Sequence, residues 1–493
     1  MRQRELRGGM SDGSADGSAG WPTAVSAEPA LERWLKLDGG KTRVWTGHQP
    51  YLWHSGILAK YIACDAATPG VGFVDLVVDH DTQDAGVIEL PTRDGDRWGV
   101  RRLRLGPCRV DVPLGMQPAM GVDGVIEALR GASREAASAG VDLDRLIDAF
   151  DTAGRGHDSL AHQMAGVVAD LRKRWVAGPT TSAMSSAMWG DAAMRSLVER
   201  MIGDAERCVE AYNAAVRAEL AAGAGGGVRE LRVEPWRVEL PLWRIGWMQS
   251  RRVVWADVSD STPLLTLEDG VPLHRPGEPV GEIAGLAPRA LLMTALVRSR
   301  EDCGLFVHGT GGGVYDRITE RWWRGWRGDA APRLAPTAVV TADVRLAGEG
   351  LTASTPGDVR RGRWRLHHAP HNVDRELGLS DDEPAVRDKR AALGRLHGPG
   401  VWGGGERVEG PAERRAAWEW LKWANARLVA DHPEAIAAAE AAYRDARIGV
   451  SNAAVAAKRD WSIGVMPVAS LDALSSIIRE RVGATPTIGS HTA

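Results

Sequence analysis

The sequence of 493 residues lacks the features that mark nucleic-acid-binding, membrane-spanning and secreted proteins. Its net charge is −3 and it has no block of basic residues, which excludes the broad positive surface that nucleic acids require. No apolar run approaches the about 18 residues of a membrane-spanning helix. The first residues show no apolar segment of the kind found in a signal peptide. We therefore expect a cytoplasmic protein without nucleic-acid or membrane partners.

Cysteine, lysine and phenylalanine are also scarce. The four cysteines, Cys64, Cys108, Cys208 and Cys303, form no C-x-x-C pair, which suits a reducing compartment and predicts no cysteine-based zinc site. Only 7 of the 61 basic residues are lysines, and 20 tryptophans stand beside 3 phenylalanines. Because this composition is typical of a GC-rich genome, we interpret most single arginines and tryptophans as ordinary surface or core residues.

The stretch from residue 42 to residue 78 predicts a strand–helix–strand unit. "TRVWT" alternates like a strand, "SGILAKYIACDAA" has apolar residues at helical spacing, and "GFVDLVV" is a second apolar run. A unit of this length places two parallel strands side by side. "LFVHGTGGGVYDRITERWW" repeats the pattern of strand, glycine loop and helix much later in the chain. We predict that both regions belong to one open parallel sheet of an α/β fold.

Three of these predicted strands end in a histidine: His48, His80 and His308. In an open parallel sheet the carboxyl ends of the strands lie at one edge, where ligands bind. Imidazole is the side chain whose ordinary pKa lies closest to neutral pH, so it suits proton transfer. We predict that these three histidines, with Asp81, are catalytic. A single histidine at a strand end is more often structural than functional, and it is the coincidence of three that favours a site.

Residues next to these histidines are predicted to bind the ligand. A glycine loop before a helix leaves backbone N–H groups and the positive helix end free for an anion. The loop is not a phosphate-binding P-loop, because no G-K-[ST] follows it, and its glycines could instead serve a tight turn that needs positive φ. Asp316 could equally be an ordinary helix-start residue. The predicted ligand-binding residues are Gly47, Gln49, His54, Asp79, Gly309, Thr310, Gly311, Gly312, Tyr315 and Asp316.

At these motifs the chain resembles the bacillithiol biosynthesis cysteine-adding enzyme family, as a diverged relative. Thr46–Gln49 corresponds to the family's T-G-Q-Q loop. Asp79–Asp81 matches its E-D-H-D strand end, with Val78 in place of the glutamate. Gly309–Tyr315 is similar to its G-P-G-E-x-x-Y loop, with Gly312 in place of the glutamate.

The resemblance implies a Rossmann-like parallel sheet core with inserted segments and a coiled-coil-like helical hairpin near the C-terminus. It also implies ligase-type chemistry, in which cysteine is joined to an amino sugar conjugate. The expected organisation is a disordered tail (1–27), the first part of the core (28–120), a helical insertion (121–225), β segments with the second part of the core (226–350), a loop-rich connection (351–405), the helical hairpin (406–460) and a C-terminal segment (461–493).

Three classes of function remain open from the sequence. The first is a ligase-like enzyme that adds an amide or amine nitrogen to a phosphorylated or carboxylate-bearing small molecule. The second is a metal-dependent hydrolase that uses His48, His80, Asp81 and His308 as ligands. The third is a non-catalytic nucleotide- or ligand-binding scaffold whose working part is the helical hairpin. A nucleotide such as ATP or ADP and a divalent metal are the cofactors these classes would need. A homodimer is predicted because the alanine-rich hairpin exposes an apolar stripe.

Overall fold

The computed structural model describes residues 43–223, 227–259, 264–274, 278–279, 281, 283–328, 331–346, 351, 353–398 and 407–483, and the backbone of 23–27. The chain divides into two compact units. The first comprises Met1–Thr92, Val100–Leu346 and Lys458–Ala493, and the second comprises Arg93–Gly99 and Ala347–Ala457. None of the helices in the described ranges combines the length and apolar composition that a membrane crossing requires.

The strands are β1 (Thr23–Ala27), β2 (Arg43–His48), β3 (Phe73–Val77), β4 (Val87–Asp94), β5 (Arg97–Arg104), β6 (Thr180–Met184), β7 (Val233–Glu234), β8 (Arg237–Arg244), β9 (Arg252–Asp257), β10 (Leu264–Leu267), β11 (Leu286–Pro288), β12 (Cys303–His308) and β13 (Thr337–Val344).

The α-helices are α1 (Ser55–Ala67), α2 (Val122–Ser138), α3 (Asp144–Ala153), α4 (Leu160–Arg172), α5 (Ala192–Gly203), α6 (Ala205–Ala221), α7 (Ala290–Arg298), α8 (Thr310–Arg327), α9 (Pro356–His368), α10 (Val373–Glu376), α11 (Pro384–His397), α12 (Pro411–Asp431), α13 (Pro433–Ala457) and α14 (Val468–Gly483). Short 3₁₀ helices cover Leu114–Met116, Ser185–Gly190 and Ala369–His371.

The larger sheet has the strand order β1-β13-β12-β2-β3-β6. Its last five strands are mutually parallel, and β1 pairs antiparallel with β13 at the edge. If the five parallel strands are numbered 1 to 5 along the chain, they lie across the sheet in the order 3-2-1-4-5, as in a Rossmann-like sheet. The prediction that the two histidine-bearing regions share one parallel sheet is therefore confirmed. The direction of winding reverses between β2 and β12, which opens a crevice at their carboxyl ends.

Helices cover both faces of this sheet because right-handed connections leave β2 and β12 in opposite directions. Helix α1 follows β2 and packs against α14. Helix α8 follows β12 and packs against α6 and α7. The buried side of α8 carries Ile318, Trp322 and Trp326 at intervals of four residues, and the two indoles stack with centroids 5.7 Å apart. This spacing explains why an arginine-rich sequence forms a helix with one buried stripe.

Two expectations about the first unit are corrected. Residues 23–27, predicted to belong to a disordered tail, form strand β1, whereas residues 1–22 lie outside the described residues. The segment 121–225, predicted as a helical insertion, contains the predicted helices but also β6, an outer strand of the parallel sheet. The signal for β6 is weak, because "TTSAM" is short and polar and lies between long alanine-rich helical patterns.

A second, antiparallel sheet lies in the segment 226–350, as the strand patterns predict. Its order is β10-β9-β8-β11, and β7 also pairs with β8. The register of β8 against β9 shifts between Glu239 and Trp243, where the chain contains Pro241. Proline has no N–H for the ladder, and such irregularities turn the following side chains in a new direction.

The second unit is a helical assembly, and two further expectations change there. The segment 351–405, predicted to be rich in loops, contains helices α9 and α11. The predicted hairpin consists of α12 and α13, but these two helices pack little against each other. Helix α12 packs on α11 through Ala417 and Leu421, and α13 packs on α9. Periodicity predicts that a helix has a buried stripe but does not identify the helix that covers it. The homodimer stays a prediction, which the molecular mass in solution would test.

Candidate functional site

A cavity of about 580 Å³ lies in the first unit at the carboxyl ends of β2, β3 and β12. Its size falls within the range of about 300–1,000 Å³ that is usual for small-molecule sites. The cavity therefore occupies the crevice where the strand order reverses, which is where open parallel sheets bind ligands. Parts of the antiparallel sheet and the loop before it form the rest of the wall.

The structure brings most of the predicted site residues to this wall. Asp79 and Asp316 are buried and do not line the cavity. The other twelve line it: Gly47, His48, Gln49, His54, His80, Asp81, His308, Gly309, Thr310, Gly311, Gly312 and Tyr315.

The end of β2 brings His48 to the cavity. Gly47 precedes it, and a Cβ there would lie 2.6 Å from the carbonyl oxygen of Leu76 on β3, so only glycine allows the strands this approach. The rings of Tyr51 and Trp53 lie edge-on to the imidazole, with centroids 5.3 and 6.3 Å away. Burial, and secondly the charge of Lys60, lowers the pKa of His48 well below its ordinary value. His48 is therefore neutral at pH 7.

His54 lines the cavity and also stabilises the start of helix α1. It is the N-cap of α1, and its Nδ1 accepts a hydrogen bond from the backbone N–H of Gly56 at 3.1 Å. Because Nδ1 must be unprotonated to accept, the cap requires a neutral ring. Burial lowers the pKa of His54 and so favours that form.

His80 is held by a chain of hydrogen bonds that begins at Asp79. The Ser185 hydroxyl donates to Oδ1 of Asp79 at 2.8 Å, and its oxygen lies 2.6 Å from Nδ1 of His80. Ser186 also donates to Asp79, through its backbone N–H and its hydroxyl. Since the single proton of the Ser185 hydroxyl goes to the carboxylate, the Ser185 oxygen is left to accept from Nδ1–H of His80. With Nδ1 of His80 donating to Ser185, Nε2 is the nitrogen that can take up a proton, and a hydrogen bond to the backbone of Pro288 favours the protonated ring.

Burial lowers the pKa of His80, although the carboxylates of Asp79 and Asp81 oppose the shift. The ring is therefore neutral at pH 7. Asp79, predicted to bind the ligand, instead anchors this hydrogen-bond chain beneath the cavity wall. Ser185 was not predicted, because it follows β6 and that strand was hidden among helical patterns.

Asp81 connects the parallel sheet to the antiparallel one. Its Oδ2 accepts from Nε2 of Gln49 at 2.9 Å, and its Oδ1 accepts from Nη1 of Arg251 at 2.9 Å. Arg251 also donates to the hydroxyl of Thr82 and lies over the ring of Trp243, 4.6 Å from its centroid. The predicted catalytic carboxylate is thus already engaged in orienting an amide and a guanidinium.

The glycines after β12 belong to the first turn of α8. Gly309 is the N-cap, and Thr310 begins the helix. The structure describes all of residues 309–313, and none of the glycines among them has positive φ. These glycines therefore do not form a tight turn that needs positive φ. A Cβ on Gly312 would lie 2.1 Å from Nδ1 of His308, whereas one on Gly311 would meet nothing within 4 Å. The helix start lies open to the cavity, and its free N–H groups and positive dipole end suit an anion.

Asp316 lies beside His308 behind the cavity wall. Its Oδ1 lies 3.1 Å from Nε2 of His308 and 3.3 Å from Nη1 of Arg298, and all three side chains are largely buried. Asp316, predicted to bind the ligand, is buried and does not line the cavity.

Sequence reasoning missed the basic side chains of the cavity wall. Arg229 precedes β7, Arg251 precedes β9 and Arg289 follows β11, while Lys60 extends from α1. They were overlooked because arginine is abundant throughout the chain and these residues belong to no motif. The expectation that most single arginines are ordinary surface or core residues gave no reason to select these three positions.

A buried carboxylate, Glu239, organises two of these arginines. Its Oε1 accepts from Arg229 and from Arg289, both at 2.5 Å, and its Oε2 accepts from Arg232 at 2.8 Å. Burial alone would raise the pKa of Glu239, but hydrogen bonds from Arg229 and the charge of Arg289 outweigh it and lower the pKa to about 2. Glu239 is therefore ionised and holds the guanidiniums in place.

Arg289 is a buried cation that several groups hold in place. It is 9 % exposed and lies over the ring of Trp243, 3.9 Å from its centroid. Its Nη1 is bound to Glu239, but its buried Nη2 has no acceptor among the described residues. A buried donor without a partner costs about 1–3 kcal/mol, so this group favours a ligand that supplies an acceptor.

The charges on the wall are unequal. Lys60, Arg229, Arg251 and Arg289 line the cavity, and among the described residues on its wall Asp81 is the one carboxylate. The start of α8 adds partial positive charge. The cavity is suited to an anionic small molecule.

The predicted metal-ligand set is not assembled. Within the described residues, no group of three or more His, Cys, Asp or Glu side chains is placed to hold a metal ion. Asp81 is occupied by Gln49 and Arg251, and Nδ1 of His80 by Ser185. These side chains are arranged for hydrogen bonding.

A scan against protein-family models finds no match for the chain, and a search of curated proteins finds none either.

Proposed function

We propose that the protein is an enzyme of small-molecule metabolism that adds an amide or amine nitrogen to a phosphorylated or carboxylate-bearing substrate. The observation that carries the proposal is the meeting of four cationic side chains and a neutral, oriented imidazole in one cavity. The cations bind the substrate anion, and His80 transfers the proton.

Anion binding rests on Arg289, on its neighbours Arg229 and Arg251, and on the N-terminus of α8. Hydrogen bonds between guanidinium and phosphate or carboxylate are short and about twice as strong as those between neutral groups. Because Glu239 and Asp81 already hold these arginines, little side-chain entropy is lost when the ligand binds. A nucleotide such as ADP is one ligand of this class.

Proton transfer follows from the tautomer of His80. An amine nitrogen that attacks a carbon atom becomes positively charged and must lose a proton to a base. Nε2 of His80 is unprotonated, while Ser185 and Asp79 hold the other side of the ring. General base catalysis of this kind contributes about 10²- to 10⁴-fold to a rate.

The resemblance to the cysteine-adding enzyme family supports the same reaction class. Val78 and Gly312, which stand where that family has glutamates, both line the cavity. Their lack of charge makes the wall more positive and favours a substrate with a larger negative charge.

A thermal-shift experiment tests the proposal with inorganic phosphate, citrate and ADP. A ligand at one hundred times its dissociation constant stabilises the folded state by about 2.7 kcal/mol, which raises the melting temperature by a few degrees. We expect such a rise in the wild type and its loss in Gly311→Val, because the new side chain enters the ligand space at the start of α8.

Gly124→Val is the matched control. Gly124 also lies in the first turn of a helix, α2, and a Cβ there meets nothing within 4 Å, but it does not line the cavity. Its thermal shift should equal that of the wild type. An absence of any shift with all three anions, or equal shifts in both variants, would contradict binding at this site.

A further inference from the structure

Lys60 is a buried amine that the proposed proton transfer does not use. It lies on α1, one turn beyond Gly56, is 2 % exposed and lines the cavity. Its Nζ donates a hydrogen bond to the carbonyl oxygen of Gly47 at the end of β2. A lysine ammonium group can donate three hydrogen bonds, and the bond from Lys60 goes to the end of β2, which borders the cavity.

Lys60 differs from the other described lysines in its surroundings. Those four each have a carboxylate oxygen close to Nζ: Lys173 with Asp170, Lys389 with Asp374, Lys422 with Glu419, and Lys458 with Glu89. Among the described residues, Lys60 has no carboxylate within 4.0 Å. Asp75, whose charge acts on Lys60, is already bound by Arg172 at 3.0 Å and by the hydroxyl of Tyr61 at 2.6 Å.

This environment increases the fraction of Lys60 that is neutral. Burial lowers the pKa of Lys60 to about 8, and the opposing charge of Asp75 does not restore it. At pH 7 a lysine with this pKa is about 10 % neutral, more than about 100 times the neutral fraction of an ordinary lysine. Buried lysines of this kind are the ones that react with carbonyl groups.

We propose that Lys60 condenses with the carbonyl group of an anionic oxo acid bound in the cavity. Nζ adds to the carbonyl carbon, its two protons leave with the carbonyl oxygen as water, and an imine joins Lys60 to the substrate. The inference rests on the proposed function, because the same arginines bind the substrate's carboxylate or phosphate.

The neighbouring groups fit this chemistry. His48 is neutral and lines the same part of the wall, directly after Gly47, so it can transfer protons between nitrogen and oxygen. An incoming amine displaces Lys60 from the imine, which forms the new carbon–nitrogen bond and restores the free lysine. The substrate class is therefore a ketone or aldehyde that carries a carboxylate or phosphate.

Reductive trapping tests the inference on the full chain. The protein is incubated with pyruvate or dihydroxyacetone phosphate and sodium borohydride, digested, and mapped by mass spectrometry. The peptide with Lys60 should gain the mass of the oxo compound minus one oxygen atom, about 100-fold in preference to the other lysines at pH 7. The rate of trapping should rise through pH 8, where about half of Lys60 is neutral, and level off above that pH.

Two variants control the experiment. Lys60→Met removes the amine but keeps a side chain of similar length, and it should abolish the adduct. Lys173→Met removes an exposed lysine outside the cavity and should leave the adduct unchanged. If Lys60→Met does not fold, the position of the adduct in the wild type decides the question alone.

Thermal shifts with the same compounds, without borohydride, separate the two proposals. A shift together with an adduct at Lys60 supports both. A shift without an adduct at Lys60, or with adducts spread over exposed lysines, overturns the imine and leaves the proposed function standing. If the compounds give no thermal shift and no adduct, both proposals are overturned.

Discussion

The parallel sheet and the antiparallel sheet both contribute to the cavity, but they contribute different kinds of side chain. The carboxyl ends of β2, β3 and β12 carry the imidazoles of His48, His80 and His308. The antiparallel sheet and its loops carry Arg229, Arg251 and Arg289. The first group consists of imidazoles, the side-chain type used most often for proton transfer, whereas the second consists of guanidiniums, which are permanently charged. Under the proposed function, the parallel sheet would supply the proton-transfer groups and the antiparallel sheet the cations that bind the substrate.

The largest expected effect is that of His80→Gln on turnover. If the parallel sheet serves the reaction, the variant should lose about 10²- to 10⁴-fold in kcat while its ligand dissociation constant changes little. Ser185→Ala should give a smaller loss of kcat, because the ring stays but its tautomer is no longer held. An equal loss of binding and turnover in His80→Gln would remove the distinction between the two sheets.

The next effect is the dependence of stability on pH. The pKa values of His48, His54 and His80 are lowered in the folded state, so below about pH 6.5 the unfolded chain binds protons that the folded chain does not. Stability should therefore fall as the pH decreases from 6.5, by up to about 1.4 kcal/mol per pH unit for each histidine. Urea unfolding between pH 7.5 and pH 5.5 measures this slope.

His54→Asn sharpens the pH experiment, because asparagine also caps helices but does not titrate. Its slope should be lower than that of the wild type. Glu239 in the antiparallel sheet behaves differently: its pKa of about 2 lies below the unfolded value, so its contribution is present above pH 4.5 and is lost only as the pH falls towards 2. A flat stability profile between pH 7.5 and pH 5.5 would contradict the neutral histidines.

Arg289→Met should weaken anion binding by roughly 10- to 100-fold, the equivalent of one charge-assisted hydrogen bond of about 1.5–3 kcal/mol. Arg232→Met is the matched control, since Arg232 also binds Glu239 but does not line the cavity. Isothermal titration calorimetry with the anion identified by thermal shift measures both. Similar losses in the two variants would mean that Arg289 acts only by holding Glu239.

The smallest effect concerns the start of α8. Gly312→Ala should destabilise the fold by about 1–3 kcal/mol, because the added Cβ would force the His308 ring to move. Gly311→Ala, one position earlier with open space around it, should instead stabilise the helix by about 0.5–1 kcal/mol. Melting temperatures of the two variants should therefore shift in opposite directions, and equal shifts would show that His308 is free to rearrange.

Some parts of the site could be predicted because they depend on local pattern. The alternation before His48, the apolar run before His80 and the helix after Gly309 are readable over a few residues. Ser185 could not be found in the same way, because the short polar strand before it becomes recognisable only when it pairs with β3. The sequence did contain one signal for this strand: two adjacent β-branched residues, Thr180 and Thr181, follow a glycine and a proline.

The sequence by itself determined the strand–helix units, the histidines at their ends and helices α12 and α13 of the second unit, because hydrophobic periodicity and glycine placement act over short distances. The tertiary structure alone decided which side chains share the cavity. Arg289 meets Arg229 only because both bind the buried Glu239, and His80 has a defined tautomer only because β6 places Ser185 beside it. These contacts join residues whose positions depend on strand order and register, which no local pattern encodes.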